Sequence, residues 1–209
     1  MRLRGKLSLL VAILILPGVL AAQTDDLLAR VWTGVQQSHT KFTSICGAVT
    51  ETRTSKLIAK PMVLHGKFCA EGSDRFMLEY PEPSPMSIRM NGDTLNITAD
   101  GKTEVMNISG EERHAESDYA NENSIDNLKK KFTVTAEESS RSFELRLVPR
   151  AQGIRHRLNY LVVKLDKQSF LPRSVEVDGK SGVNSVFLFD ITSENAKLPE
   201  DTFEVVKTR

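Results

Sequence analysis

Residues 44–70, SICGAVTETRTSKLIAKPMVLHGKFCA, read as two β-strands folded back on each other, and the reading of this hairpin decides the fold. A turn centred between Leu57 and Ile58 sets Cys46 opposite Cys69, the chain's 2 cysteines. The same register places Gly47, Val49 and Glu51 opposite Phe68, Gly66 and Leu64, while Ala48, Thr50 and Thr52 face Lys67, His65 and Val63. One face is therefore more apolar than the other, as in a sheet with one buried side. Facing residues of an antiparallel pair bring their Cβ atoms to about 4.5–5.5 Å, close to what a disulfide needs. The register thus predicts a Cys46–Cys69 disulfide. As the first strands of the domain, the pair is expected to form the sheet's first edge, where a covalent link would guard against fraying.

The N-terminus supplies a compartment in which disulfides persist. Arg2, Arg4 and Lys6 precede the apolar run Leu7–Leu16, and Pro17-Gly18 and the small-residue exit Val19-Leu20-Ala21-Ala22 follow. This is the pattern of a secretory signal peptide over residues 1–22, cleaved after Ala21 or Ala22. The run is too short to span a bilayer comfortably. No cysteine follows the cleavage region to be acylated, so a soluble exported domain is expected. Loss of the three leader cations takes the formal charge from +1 to −2. That balance lacks the basic face that nucleic-acid binding requires. Residues 23–209 contain no Pro/Gly/Ser-rich linker and no repeat, and read as a single domain acting as a monomer.

Thr24-Asp25-Asp26 offers an N-cap to an amphipathic helix whose stripe is Leu27, Leu28, Val31, Trp32 and Val35, ending near His39–Phe42. Trp32 on that stripe is an anchor for the open face of a sheet. After the hairpin, alternating strands are predicted at 75–80, 85–90, 94–98, 103–108, 132–136, 142–148, 158–164, 174–177 and 184–191, with Asn91-Gly92 and Asp100-Gly101 as turns. Pro199–Val206 is expected as a last short strand. Residues 109–131 break the pattern with many acids and three consecutive lysines, and a short helix is expected from Ser124. The sum is an α+β, mostly β chain. About 10–11 antiparallel strands form an unclosed barrel, with a helix at the start and a helical lid in the middle.

No catalytic constellation emerges. His39, His65, His114 and His156 are scattered without a partner at ligand spacing, so no metal or cofactor is expected, and no nucleophile elbow or phosphate loop is present. Glu111-Glu112 and Glu137-Glu138 are adjacent pairs that would not converge on one pocket. The basic clusters Lys129–Lys131 and Arg150–Arg157 read as solvated faces, with an acidic partner or lipid head group as the alternative. Asn96-Ile-Thr98 and Asn107-Ile-Ser109 match the glycosylation sequon. Abundant apolar side chains stand out instead. Phe187, Phe189 and Ile191 alternate with Val186 and Leu188, so this strand needs cover on both faces.

The stretch TETRTSKLIAKPMVLHGKFCAEGSDRFMLEYPEP, residues 50–83, followed by Ile88–Leu95, resembles the start of periplasmic outer-membrane lipoprotein carrier proteins (LolA-like). The tail is similar as well, in Leu171-Pro172-Arg173, Asp178-Gly179, Phe187–Ile191 and Leu198-Pro199-Glu200-Asp201-Thr202-Phe203. Glu71-Gly72 stands where the best-known branch has a basic residue, so that role does not transfer. The resemblance implies an unclosed β-barrel with a lid, whose apolar interior holds lipoprotein acyl chains in the periplasm. It also implies an inner-membrane lipoprotein-releasing transporter as donor and an outer-membrane acceptor. Phe76 and Leu78 match interior positions of the family. Alternation adds Tyr80, Ile88 and Met90 to the groove, with Trp32 beside them. A carrier of another lipid, such as an aryl-polyene conjugate, and a non-catalytic envelope sensor or scaffold are the alternative functions.

Overall fold

The computed structural model describes residues 18–83, 85–107 and 124–206, so the predicted apolar run Leu7–Leu16 and the polar stretch 109–123 lie outside the described residues. Strands run in the order β1 (Ser44–Ser55), β2 (Met62–Glu71), β3 (Arg75–Tyr80), β4 (Met86–Asn91), β5 (Thr94–Ala99) and β6 (Lys102–Asn107), then β7 (Phe132–Glu138), β8 (Ser142–Pro149), β9 (Leu158–Asp166), β10 (Pro172–Gly179) and β11 (Val183–Glu194). The helices are α1 (Gly18–Lys41), α2 (Ser124–Lys131) and the single turn α3 (Gln152–Arg155). The strands predicted from 44 to 191 are all found, with ends shifted by a few residues, and the short helix begins at Ser124 as expected. The first helix starts earlier. It runs through Thr24 from Gly18 because Val19–Gln23 are adequate helix formers, so Thr24 does not cap it. Asp25 instead pairs with Lys129 on α2 at 3.0 Å.

The 11 strands of the described residues join one antiparallel sheet in the order β6-β5-β4-β3-β2-β1-β11-β10-β9-β8-β7. Neighbours in the sheet are neighbours in sequence except for β1 and β11, the first strand and the last. That one long-range ladder places β1 in the middle, which overturns the edge position expected for the hairpin. The physical reason is length: β1 and β11 each run 12 residues and pair from Ile45↔Glu194 to Ser55↔Val183. The sheet ends are β6 and β7, and the barrel stays open between them. The register around the cysteines is as predicted, Cys46↔Cys69 with Gly47↔Phe68 and Glu51↔Leu64. The disulfide is formed, with Cα atoms 4.1 Å apart.

The register traces the inner face across the whole sheet. Ala136, Leu145, Val163, Val175, Phe187, Glu51 and Leu64 face one another in series from β7 to β2. Ile191, Gly47, Phe68, Leu78, Ile88 and Ile97 do the same from β11 to β5. The rings of Phe68 and Phe189 start on strands separated by β1, yet their centroids meet at 5.0 Å, as side chains converging on a concave side should.

Two clusters fill this side. Leu28, Val31 and Trp32 of α1 and Leu128 of α2 are buried with Phe132, Phe143, Leu145, Leu147 and Leu165 of β7–β9. Gly34 makes the helix docking possible: a Cβ there would lie 2.3 Å from the ring of Phe170, which stacks on Phe143 at 5.4 Å. Arg30 adds an ion pair to Glu138. The second cluster is Val49, Leu64, Phe68, Leu78 and Tyr80 of β1–β3.

The outer face carries the disulfide, with Met77 opposite Cys69 and Arg89 opposite Met77. Met77 is buried. Residues 199–206 lie over this region, and Asn91 donates from its side-chain amide to the Phe203 carbonyl at 3.2 Å. The strand expected at Pro199–Val206 is instead a 3-10 turn, Glu200–Phe203, with buried Phe203 as its anchor. The two strands it touches, β3 and β4, already have partners on both sides, so no ladder is free for the tail to join.

Candidate functional site

The two halves of the concave face are covered differently. α1 and α2 pack against β7, whereas on the other side Phe76, Met86, Ile88, Phe187, Phe189 and Ile191 are only half-buried around the second cluster. Alternation accounts for this lining: Phe76, Leu78 and Tyr80 project to one side of β3 and meet Met90, Ile88 and Met86 of β4 in register. The structure therefore brings five of the sequence-predicted groove residues, Phe76, Leu78, Tyr80, Ile88 and Met90, onto one contiguous surface. Leu78 and Tyr80 are buried, and the other three are half-buried. Trp32 lies apart, in the packed cluster under α1.

Amid this lining sits a carboxylate. Glu51 is 1% exposed, and the Arg53 guanidinium donates to it twice, Nε to Oε1 at 2.5 Å and Nη2 to Oε2 at 2.9 Å. Residues two apart on a strand share a face, which is what lets this bidentate pair form along β1. Tyr80 reaches the pair across β2 because residue 66 is glycine. A Cβ there would stand 2.3 Å from the Glu79 carbonyl oxygen and 2.8 Å from the Tyr80 ring. The Tyr80 hydroxyl is buried without a well-aligned hydrogen bond and faces the carboxylate. Burial works against the charged form of Glu51, but the Arg53 hydrogen bonds and charge, with the Tyr80 and Ser185 hydroxyls nearby, outweigh it and hold the carboxyl below its ordinary value. Tyr80 moves the other way, raised by burial and by the neighbouring Glu51.

The first hairpin's register already placed Glu51 on the apolar face opposite Leu64. An unusual carboxylate was therefore legible in the sequence, although its partner Arg53 and the ring crossing Gly66 were not. Phe187, Phe189 and Ile191 were legible as apolar but not as neighbours of Val49, because that contact depends on the β1–β11 ladder. His39, His65 and His156 are exposed, and His114 lies outside the described residues. Among the described residues no three His, Cys, Asp or Glu side chains are grouped to hold a metal ion. The described helices include none long and apolar enough to cross a membrane. Chemically, the surface offers shelter for hydrocarbon beside one fixed ion pair.

Known proteins extend this picture. A search of curated protein sequences returns no match. Among solved structures, an uncharacterized conserved protein from Thermus thermophilus has a TM-score of 0.52 at 11% identity, covering 86% of this chain and 94% of that one, and shows the same fold. A LolA superfamily protein from Nitrosomonas europaea matches at a TM-score of 0.44 and 14% identity over 85% and 97% of the two chains. The lipoprotein LppX of Mycobacterium tuberculosis matches at 0.40 and 12% over 82% and 98%. The sequence profile described as "Outer membrane lipoprotein carrier protein LolA" matches residues 40–206, which includes every strand, and the chain therefore belongs to that family.

Proposed function

We propose that this protein is a periplasmic carrier that shelters the acyl chains of a lipoprotein, or of a related lipid, on its concave face and moves them toward the outer membrane. The observation that carries the reading is the half-buried apolar surface of β3, β4 and β11, built from Phe76, Met86, Ile88, Phe187, Phe189 and Ile191 in a family of lipoprotein carriers. An acyl chain of about fifteen methylenes gains roughly 10 kcal/mol when it leaves water, at about 0.8 kcal/mol per CH2. Binding that tight needs assisted release, which fits a donor transporter at the inner membrane and an acceptor at the outer membrane. In this reading residues 1–22 are removed on export and residues 23–209 act as one monomeric domain. No catalytic step is assigned.

Displacement of a fluorescent fatty acid tests the groove. The protein binds the probe, Phe76→Asp and Ile88→Asp abolish binding while the circular dichroism spectrum is unchanged, and Leu78→Asp, at a buried position, unfolds the chain. Wild-type protein that does not take up the probe would count against the reading. The lipid that co-purifies separates lipoprotein cargo from an aryl-polyene conjugate.

A further inference from the structure

At one end of the barrel three loops lie side by side: 56–61 between β1 and β2, 180–182 between β10 and β11, and 150–157 between β8 and β9. Ser55 faces Val183, which sets the first beside the second, and the Lys180 amide donates to the Arg157 carbonyl at 2.9 Å, which sets the second beside the third. Together they carry Lys56, Lys60, Lys180, Arg150, Arg155 and Arg157, with His156, and no carboxylate. The β3–β4 and β5–β6 turns at the same end carry Glu82 and Asp100, so the basic cluster is confined to these three loops. The loops at the opposite end mix signs, with Asp74 and Asp93 against Arg141 and Lys167. The basic loop cluster also exposes hydrocarbon. Leu57 is 91% exposed at the tip of the β1–β2 loop, and Ile58, Met62, Val63 and Val183 around it are between 36% and 49% exposed. Lys56 and Lys60 flank the apolar trio Leu57-Ile58-Ala59 directly.

From this juxtaposition we infer that this basic loop cluster docks the protein on an anionic lipid bilayer, with Leu57 and Ile58 entering the interface and the surrounding lysines and arginines at the head groups. A single exposed leucine is ordinary, but Leu57 with Ile58, Met62, Val63 and Val183 makes a contiguous apolar patch, and such a patch marks an interaction surface. The pairing is what an interfacial anchor requires: apolar side chains reach the acyl boundary while cationic ones stay with phosphate. Charge complementarity selects a negative surface, since no acidic side chain in these loops would repel it. Docking there would bring the concave face next to the membrane that supplies or receives its cargo. The inference stands on the loops alone and does not need the groove to hold lipid.

Co-sedimentation of the purified protein with phosphatidylglycerol-containing vesicles, against vesicles of phosphatidylcholine alone, tests it. Expected is partition onto the anionic vesicles only, weakening as salt rises. It falls about tenfold or more in a Lys56→Glu, Lys60→Glu variant, and comparably in Leu57→Asp. Arg141→Glu at the far end leaves it unchanged. Wild-type protein that ignores anionic vesicles, tip variants that bind like wild type, or an equal loss with Arg141→Glu would each overturn the inference. So would binding to an acidic protein without binding to vesicles. Fatty-acid displacement on the same samples keeps the two readings apart: tip variants retain it, and its absence in a wild-type protein that still docks refutes the groove alone.

Discussion

Removing the Cys46–Cys69 link by a Cys46→Ser, Cys69→Ser double replacement should lower global stability without loosening the hairpin selectively. The bridge closes a loop with a sequence separation of 23 residues. Loop-closure entropy for that length corresponds to about 3 kcal/mol at 25 °C. For a domain of this size the loss corresponds to a melting temperature lower by roughly 6–12 °C. The position of the bond sharpens the expectation. β1 is laddered to β2 on one side and to β11 on the other, so its register is held twice over without the disulfide. Urea denaturation should therefore show a single transition with an earlier midpoint and an unchanged slope. Amide exchange over residues 44–55 should remain among the slowest in the protein. A stability loss below about 1 kcal/mol would refute the entropic reasoning. Fast exchange confined to 44–55 would show that the hairpin behaves as an edge after all.

Three further substitutions probe the interior. Arg53→Met leaves Glu51 buried without its cation and should cost up to about 3 kcal/mol at neutral pH. The carboxyl's folded-state pKa then rises above its ordinary 4.5, so the penalty grows as pH climbs past that value and fades below it. Urea midpoints at about pH 4 and pH 8 measure the difference, and adding Glu51→Leu should restore stability. Asp166 caps the β9–β10 turn, accepting from the Gln168 and Ser169 amides at 2.9 Å each and from Arg173. Burial opposes its charge, but these donors hold it at about 2, so its contribution is complete above 3.8 and disappears as pH falls toward 2. Asp166→Asn should cost about 1–2 kcal/mol in thermal unfolding at neutral pH, with the gap to wild type closing in acid. Gly66→Ala pushes a methyl against the Glu79 carbonyl and the Tyr80 ring and should destabilise by about 1–3 kcal/mol, read from the urea midpoint.

Local pattern carried much of this architecture. Alternation placed Phe76, Leu78 and Tyr80 on one side of β3, and one turn position set the β1–β2 register down to the disulfide. Long-range pairing lay beyond it. Val49 meets Phe189 only because the first strand recruits the last, and nothing in the period of either strand names the other. The same blindness made the first hairpin look like an edge and gave the tail at 199–206 a strand with no ladder to join. The candidate site divides along the same line. Its apolar lining follows from strand periodicity, whereas the Glu51, Arg53 and Tyr80 cluster requires a ring to pass over Gly66 on an intervening strand. Trp32 shows the limit of a helical stripe: spacing identifies a buried side chain but not which of two clusters buries it.

The central claim is that the half-buried face around Phe76, Ile88 and Phe189 holds lipid. Native mass spectrometry of the protein purified from its own cell envelope tests it most directly. The account predicts an added mass that fragments to an acyl-bearing lipid in the wild type and is missing in Phe76→Asp. A wild-type protein that is empty in every preparation, with no uptake of added lipoprotein or fatty acid, would contradict it.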